Sequence, residues 1–383
     1  MLLAPAPDIY GHSTRIFDVL TQKKFFLKTY GCQMNLNDSE IVKTLLEDQG
    51  MVAVDSEGEA HLILVNTCSI RENAEQKIWT YLNQIKVRNR EKLRATSQRT
   101  YVGLLGCMAE RLKAKVVEEQ RAVDLIVGPD AYKDLPRLLD LVMGELNTDN
   151  RNYAINTQLS IDETYADIFP VRKNQVSAFI TIMRGCSNMC SFCIVPFTRG
   201  VERSRSAATI VQEVEQLRDW GVREITLLGQ NVNSYLDKSE VTHFTAHQNP
   251  EGFGETFKLR NKPGLRFAEL LERVAHAAPE VRFRFISPHP KDFPDPVLEA
   301  VAAFPNICKS LHMPVQAGND EVLKRMNRHY TKDAYLRLID KTRTKIPGVA
   351  ISTDIIVGFC GETDAQFADT LELVEQVQFE SVA

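Results

Sequence analysis

The stretch AFITIMRGCSNMCSFCIVPFTRG, residues 178–200, runs a short apolar strand directly into three cysteines, Cys186, Cys190 and Cys193. A loop leaving the carboxyl end of a strand is where α/β folds gather their ligands. The spacing C-x3-C-x2-C puts three thiolates in that one loop, and thiolates suit iron–sulfur clusters or zinc. A structural zinc site wants four closed ligands, so Cys308 or Cys360 would have to join it through the fold. Three thiolates on a four-iron cluster instead leave one iron open to chelate a small molecule. Phe192, between the second and third cysteines, offers a ring that can pack on an adenine. Spacing alone leaves both metals open.

Working outward, the residues after this loop repeat a strand–helix rhythm. Strands fit AFITIM (178–183), EITLLG (224–229), RFRFIS (282–287), CKSLHM (308–313) and AISTDIIVG (350–358), and helices fit 207–219, 267–277, 294–303, 319–327, 332–344 and 364–376. The last residues, FESVA (379–383), read as a sixth strand cut short. The pattern predicts a curved, partly closed barrel of six βα units over 176–383. Residues 236–264 are polar, with Gly252, Gly254, Gly264, Pro250 and Pro263, and read as a surface insertion.

Upstream, residues 24–145 show the same alternation on a smaller scale. Strands fit KFFLKTYG (24–31), HLILVNT (61–67), TYVGLLG (100–106) and DLIVG (124–128), with helices at 38–48 and 109–120. This predicts an α/β three-layer domain, a parallel sheet covered by helices. Residues 146–175 are polar and irregular and read as a linker.

Bulk composition excludes some classes. Of 383 residues, 44% are hydrophobic and 25% charged, as in an ordinary globular protein. No apolar run approaches the ~20 residues that cross a bilayer, so no membrane partner is expected. A formal net charge of −4 does not announce a nucleic-acid partner, which would need a local basic face. The first twenty residues carry neither a secretory pattern nor an Arg-rich, acid-poor leader, since Arg15 stands against Asp8 and Asp18. The eight cysteines then point to metal or redox chemistry rather than a disulfide framework.

Cys32, Cys68 and Cys107 lie far apart in sequence, yet each falls just past a predicted strand: KTYGC, LVNTC and GLLGC. Parallel strands present such ends along one edge, where three cysteines can meet at a second three-thiolate site. Buried cysteines are also common as small hydrophobes.

The motif C-x3-C-x-aromatic-C on a strand-to-helix loop resembles the signature of the radical S-adenosylmethionine superfamily. YGCQMNLNDSE (30–40), NTCSIRENAEQK (66–77) and GCMAER (106–111) resemble its methylthiotransferase family, and specifically the branch that modifies isopentenyl-adenosine at position 37 of tRNA. GFCGET (358–363) and the 236–264 insertion are similar to the animal and organellar subgroup, named for association with a regulatory subunit of cyclin-dependent kinase 5. Cys360 is a marker of that subgroup rather than a ligand.

The resemblance implies two four-iron, four-sulfur clusters and S-adenosylmethionine as cofactors. Cys32, Cys68 and Cys107 hold the first cluster, which carries an added sulfur. Cys186, Cys190 and Cys193 hold the second, which binds and cleaves S-adenosylmethionine. The resulting radical takes hydrogen from C2 of the adenine, and a methylthio group replaces it. Candidate S-adenosylmethionine contacts are Phe192, Arg203, Arg205, Gly229, Gln230, Asn231, Ser287, Gln316, Asp354 and Glu362. No general base is assigned. The expected partners are a tRNA anticodon stem-loop, an external one-electron donor, a sulfur source and, by resemblance only, a kinase regulatory subunit. Local basic candidates for tRNA are Lys86, Arg88, Arg90, Lys92, Arg94 and Arg99, with Arg199, Arg203 and Arg205. The subgroup implies mitochondria, and the visible N-terminus leaves the cytoplasm as the alternative.

Two departures bear on this. HMPVQAGND (312–320) has Met313 and Ala317 where the family has Leu and Ser. The family also completes the sixth strand and adds a small β-domain that helps hold tRNA. With the sequence stopping at Ala383, that domain is expected to be absent and the chain to be a fragment or short isoform. Alternative functions are methylthiolation of another adenosine or of a protein, or non-catalytic binding to the kinase regulator.

Overall fold

The computed structural model describes residues 20–69, 72–113, 115–116, 123–144, 153–170, 176–240, 253 and 263–383. They form two compact units. The first runs to Ser160 and includes Asp167–Val171 and Phe197–Arg199; the second holds Ile161–Ala166, Arg172–Pro196 and Gly200–Ala383.

The first unit is built on six parallel strands in the order β2-β1-β3-β4-β5-β6. Along the chain these are β1 (Lys24–Thr29), helix α1 (Gln33–Asp48), β2 (Val52–Ala53), β3 (Leu62–Thr67), α2 (Glu72–Thr96), β4 (Tyr101–Gly106), α3 (Cys107–Leu112), β5 (Leu125–Val127), α4 (Leu135–Met143) and β6 (Ala154–Asn156). Strand β3 is central and every one of its six residues is buried, which is why LILVNT does not alternate. Ile63 and Val65 share a core with Ile78, Leu82 and Ile85 of α2. Leu62 and Leu64 point to the opposite face by the two-residue period of a strand, and α1 packs with α4. Each fully buried aliphatic side chain contributes about 1.5–3 kcal/mol. The expected three-layer arrangement is present. Strand β6 lies within the stretch read as linker and pairs with β5 through Leu125↔Ala154, so the first unit extends past residue 145. Its three residues were too short a run to stand out from their polar surroundings.

In the second unit the strands are β7 (Ser177–Thr181), β10 (Glu224–Leu228) and β13 (Arg282–Phe285) in one parallel sheet, and β14 (Ser310–His312), β15 (Ala350–Thr353) and β16 (Ser381–Val382) in another. Helices α6 (Ala207–Asp219), α7 (Phe267–Ala277), α8 (Asp295–Ala303), α9 (Asp320–Arg325), α10 (Lys332–Lys345) and α11 (Asp364–Val377) follow the rhythm read from sequence. Among the described residues, the two sheets meet at one parallel bridge, Phe283↔Ile307. The seam is carried by Phe283 N–H donating to the Asn306 carbonyl (2.8 Å) and Cys308 N–H to the Phe283 carbonyl (2.9 Å). Strand β16 pairs with β15 through Ser352↔Ser381, so the sixth strand forms. No closed barrel is seen among the described residues, in keeping with a partial (β/α)6 barrel. At the insertion, β11 (Leu236–Asp237) and β12 (Leu265–Arg266) pair antiparallel. Residues 241–252 and 254–262, most of the insertion, lie outside the described residues.

The loop of Cys186, Cys190 and Cys193 hangs from a short ladder. Strand β8 (Met183–Arg184) pairs antiparallel with β9 (Arg203–Ser204), closing the excursion at its base, and helix α5 (Val195–Arg199) lies within it. Gly185 has φ +76°, and a Cβ there would run into the Val201 and Gly200 carbonyl oxygens. Gly185→Ala therefore forces both backbone strain and a clash. It is expected to lower stability by about 1–3 kcal/mol, read as a lower urea midpoint at unchanged m-value.

Candidate functional site

In the first unit, register brings the dispersed cysteines together. Thr67 of β3 pairs with Gly106 of β4, and the next residue on each strand is a cysteine, Cys68 and Cys107. Neighbouring strands lie about 4.8 Å apart, so these two stand side by side. Cys32 caps the N-terminus of α1, just past β1 on the other flank of β3. Between them sits Gly31, with φ +113°; a Cβ on it would come within 2.7 Å of the Cys68 Cβ. Only glycine lets the β1 turn approach Cys68 this closely.

A polar network holds this edge. Asn35 donates through Nδ2 to the carbonyls of Tyr30 and Thr67, both at 2.9 Å. Its Oδ1 lies 3.9 Å from the Cys32 Sγ and accepts from Arg199 at 2.8 Å. Asn66 donates to the Asn35 carbonyl and to Ser39 Oγ, each at 2.9 Å. Arg199, which belongs with this unit, also donates to Asp38 (2.6 Å) and, through Nε, to Cys107 Sγ (3.1 Å). A pocket lined by Ser69, Glu75, Gln76, Trp79 and Arg111 opens beside the Cys68 strand end.

In the second unit, Cys186, Cys190 and Cys193 occupy one loop, tied by Cys186 N–H to the Gly200 carbonyl (3.1 Å) and Cys193 N–H to the Cys190 carbonyl (2.9 Å). The loop is clamped by Ser191 Oγ donating to the Arg325 carbonyl and Asn327 Nδ2 to the Met189 carbonyl. Burial, with Glu202 nearby, pushes the Cys186 thiol up to about 12, and burial also raises Cys193. Arg328 is buried, donating to Tyr330 Oη (3.0 Å), to the Pro314 carbonyl (2.7 Å) and to Cys190 Sγ (3.5 Å).

The donor chemistry fits iron–sulfur clusters: two sets of three thiols, each at a strand end. Among the described residues no group of three or more His, Cys, Asp or Glu is arranged to hold a metal ion. A cluster binds each thiolate on a separate iron, so its ligands stand wider than those of one zinc ion.

The other expected contacts spread around the second unit's strand ends. Gln230 Oε1 accepts from Gly185 N–H at 2.5 Å and so fixes the start of the cysteine loop. Asn231 is buried and donates to Glu202 (3.3 Å) and Asp292 (3.0 Å), while its Oδ1 has no hydrogen-bond partner. Gly229 packs against Met183. Ser287 and Gln316 hold positive φ, +58° and +74°, and Gln316 pairs with Ile355. Asp354 meets His312 at 3.2 Å. Glu362 accepts from the Gly358 and Phe359 amides (2.7 and 3.1 Å) and braces the β15 exit loop. Phe192 is 40% exposed, leaving a ring face available.

The arginines read as outward contacts are not outward. Arg199, Arg203 and Arg205 are all buried. Arg203 donates to the Glu163 carbonyl (2.6 Å) and Arg205 to Glu213 (2.7 Å) and the Thr181 carbonyl. As phosphate contacts for tRNA they are corrected, because a buried, paired guanidinium has no face to offer. On α2, Arg88 pairs with Glu57 and Lys92 donates to Thr100 Oγ1 (2.9 Å), while Arg90 and Arg94 stand exposed; Arg99, just past the helix, pairs with Asp124. Sequence reasoning missed Asn35, Glu202 and Arg328, and missed Arg199 as a neighbour of Cys107. Burial, then Asp292, raises the Glu202 carboxyl.

The chain matches the Radical SAM superfamily over residues 180–374 and the Uncharacterized protein family UPF0004 over 24–128. It is 50% identical to the "Mitochondrial tRNA methylthiotransferase CDK5RAP1" of Mus musculus, over 94% of this chain and 60% of that protein. It is 45% identical to the "tRNA-2-methylthio-N(6)-dimethylallyladenosine synthase" of Chloroherpeton thalassium, over 93% of this chain and 72% of that protein. The chain thus spans about 60% of the length of the CDK5RAP1 relatives it matches. Among solved structures, the radical S-adenosylmethionine methyltransferase TsrM of Kitasatospora setae superimposes with a TM-score of 0.62 at 15% identity, over 94% of this chain and 72% of that one. That likeness speaks to fold.

Removing one partner of a buried pair strands the other charge. Glu213→Ala leaves the Arg205 guanidinium, 4% exposed like its partner, without its carboxylate. It is expected to cost about 3–5 kcal/mol, whereas Arg205→Met with Glu213→Leu together recovers most of that loss; chemical denaturation reads both.

Proposed function

Because the chain belongs to the methylthiotransferase family of the radical S-adenosylmethionine superfamily, we propose that it carries two four-iron, four-sulfur clusters and inserts a methylthio group at C2 of N6-isopentenyladenosine in a tRNA anticodon loop. The observation that carries this reading is the convergence of Cys32, Cys68 and Cys107 on one sheet edge, in addition to the Cys186, Cys190 and Cys193 loop. One three-thiol site suffices to cleave S-adenosylmethionine; a second is what sulfur insertion adds.

When bound, the clusters and S-adenosylmethionine supply the one-electron and sulfur chemistry needed at an aromatic C–H, a bond too strong and too weakly acidic for side-chain acid–base catalysis. This chain's residues hold, orient and shield. Cys186, Cys190 and Cys193 offer three thiolates. The unpartnered Oδ1 of buried Asn231 is an acceptor suited to the methionine ammonium. Phe192 offers a ring to the adenine, and Gln316, Asp354 and Glu362 shape the loops after β14 and β15. Arg203 and Arg205 act from within, by bracing β9 and α6, rather than by touching the carboxylate directly. The exposed Arg90 and Arg94 are the better candidates for tRNA phosphates. By kinship with the mitochondrial enzymes, the compartment is the mitochondrion; electrons and sulfur come from outside the chain.

Purified anaerobically and supplied with S-adenosylmethionine, reductant and sulfide, the protein should convert isopentenyl-adenosine in an anticodon stem-loop to its 2-methylthio form. Cys32→Ala should still release 5′-deoxyadenosine yet give no methylthio product, and Cys186→Ala should lose both, as read by mass spectrometry of nucleosides. Vigorous 5′-deoxyadenosine release by the unsubstituted protein without methylthio-adenosine would redirect the reading to another substrate.

A further inference from the structure

Arg199 is 2% exposed and all three of its guanidinium nitrogens are engaged. Nε donates to Cys107 Sγ at 3.1 Å, NH1 to Asp38 Oδ2 at 2.6 Å and NH2 to Asn35 Oδ1 at 2.8 Å. Asn35 Oδ1 is the atom 3.9 Å from Cys32 Sγ, and Asn35 Nδ2 bonds the Thr67 carbonyl, one residue before Cys68. One planar cation therefore touches Cys107 and, through a single amide, braces the backbone at both other cysteines. Asp38, fully buried, also lies 3.5 Å from Tyr132 Oη. A salt bridge built only for stability has no need to aim its third donor at a sulfur.

We propose that Arg199 is a positioning residue for the cluster on Cys32, Cys68 and Cys107, and that the Arg199–Asp38 pair sets that cluster's reduction potential. The proposal rests on the reading that these three cysteines hold a cluster. A cluster gains negative charge on reduction, and hydrogen bonds and positive charge at its sulfurs favour the reduced form. Arg199 supplies both at Cys107. Asp38 offsets the charge and so limits the effect. The two residues thus pull the potential in opposite directions. The fork is also specific: a lysine keeps the charge, but its three donors radiate from one nitrogen and do not match sulfur, carboxylate and amide acceptors spaced for three separate guanidinium nitrogens.

The test uses the full-length chain with Cys186, Cys190 and Cys193 all changed to alanine, so that a single cluster remains. After anaerobic reconstitution, its potential is followed by electron paramagnetic resonance during a reductive titration. Arg199→Gln should shift the midpoint to a more negative value, and Asp38→Asn should shift it to a less negative one. If Arg199→Gln fails to fold, Asp38→Asn and the Arg199→Gln/Asp38→Asn double variant, which strands neither charge, still give the sign. Midpoints and spectra that match the parent in every variant, with only thermal stability reduced, would make the pair structural and overturn the proposal. A parent that takes up no iron would overturn it by a different route, by removing the cluster reading itself.

Discussion

Parallel pairing of β3 with its neighbours is the constraint from which the first site follows. In parallel strands all carboxyl ends share one edge, and the Thr67↔Gly106 register then leaves Cys68 and Cys107 no choice but adjacency. A one-residue slip would send one of the two to the opposite face. The fully buried LILVNT strand resists that slip, because shifting it would exchange the apolar side chains that each face has packed. Packing energy in the sheet thus holds thiol geometry at its edge.

The edge pays for its precision in buried polar groups. Asn35, Asn37, Asp38 and Asn66 are all buried there, and burying such groups costs free energy unless they are hydrogen-bonded. Asn35 and Asn66 bond strand-end carbonyls and helix α1 at once, and Arg199 neutralises Asp38. The second unit uses the same device: Arg328 spans Pro314, Tyr330 and Cys190, and Asn231 spans Glu202 and Asp292. In both units the cysteines are presented by backbone turns while buried polar side chains lock those turns.

Much of this was legible from the residues. Strands β1, β3, β4 and β5, and the strands β7, β10, β13, β14, β15 and β16 of the second unit, stand out as short apolar runs in a strand–helix rhythm, and their ends predict where the cysteines go; the two-residue strands β8, β9, β11 and β12 do not. Strand β6 was not legible, because three residues, Ala154–Asn156, carry no period of their own and depend on β5 for pairing. Arg199, Arg203 and Arg205 were misread as outward contacts because sequence shows charge but not burial. Their partners, Asp38, Glu163 and Glu213, lie 161, 40 and 8 residues away, and the most distant is the hardest to foresee. Glu202 and Arg328 carry no motif at all and are found only through what surrounds them.

The central claim is that the chain builds two separate three-thiolate cluster sites, and counting iron tests it most directly. Anaerobic reconstitution followed by iron and sulfide analysis with Mössbauer spectroscopy should give about eight irons per chain, in two four-iron clusters. Replacing Cys32, Cys68 and Cys107 with alanine, or Cys186, Cys190 and Cys193, should each leave about four. An unsubstituted chain that holds only about four irons, or none with stoichiometric zinc, would contradict the account.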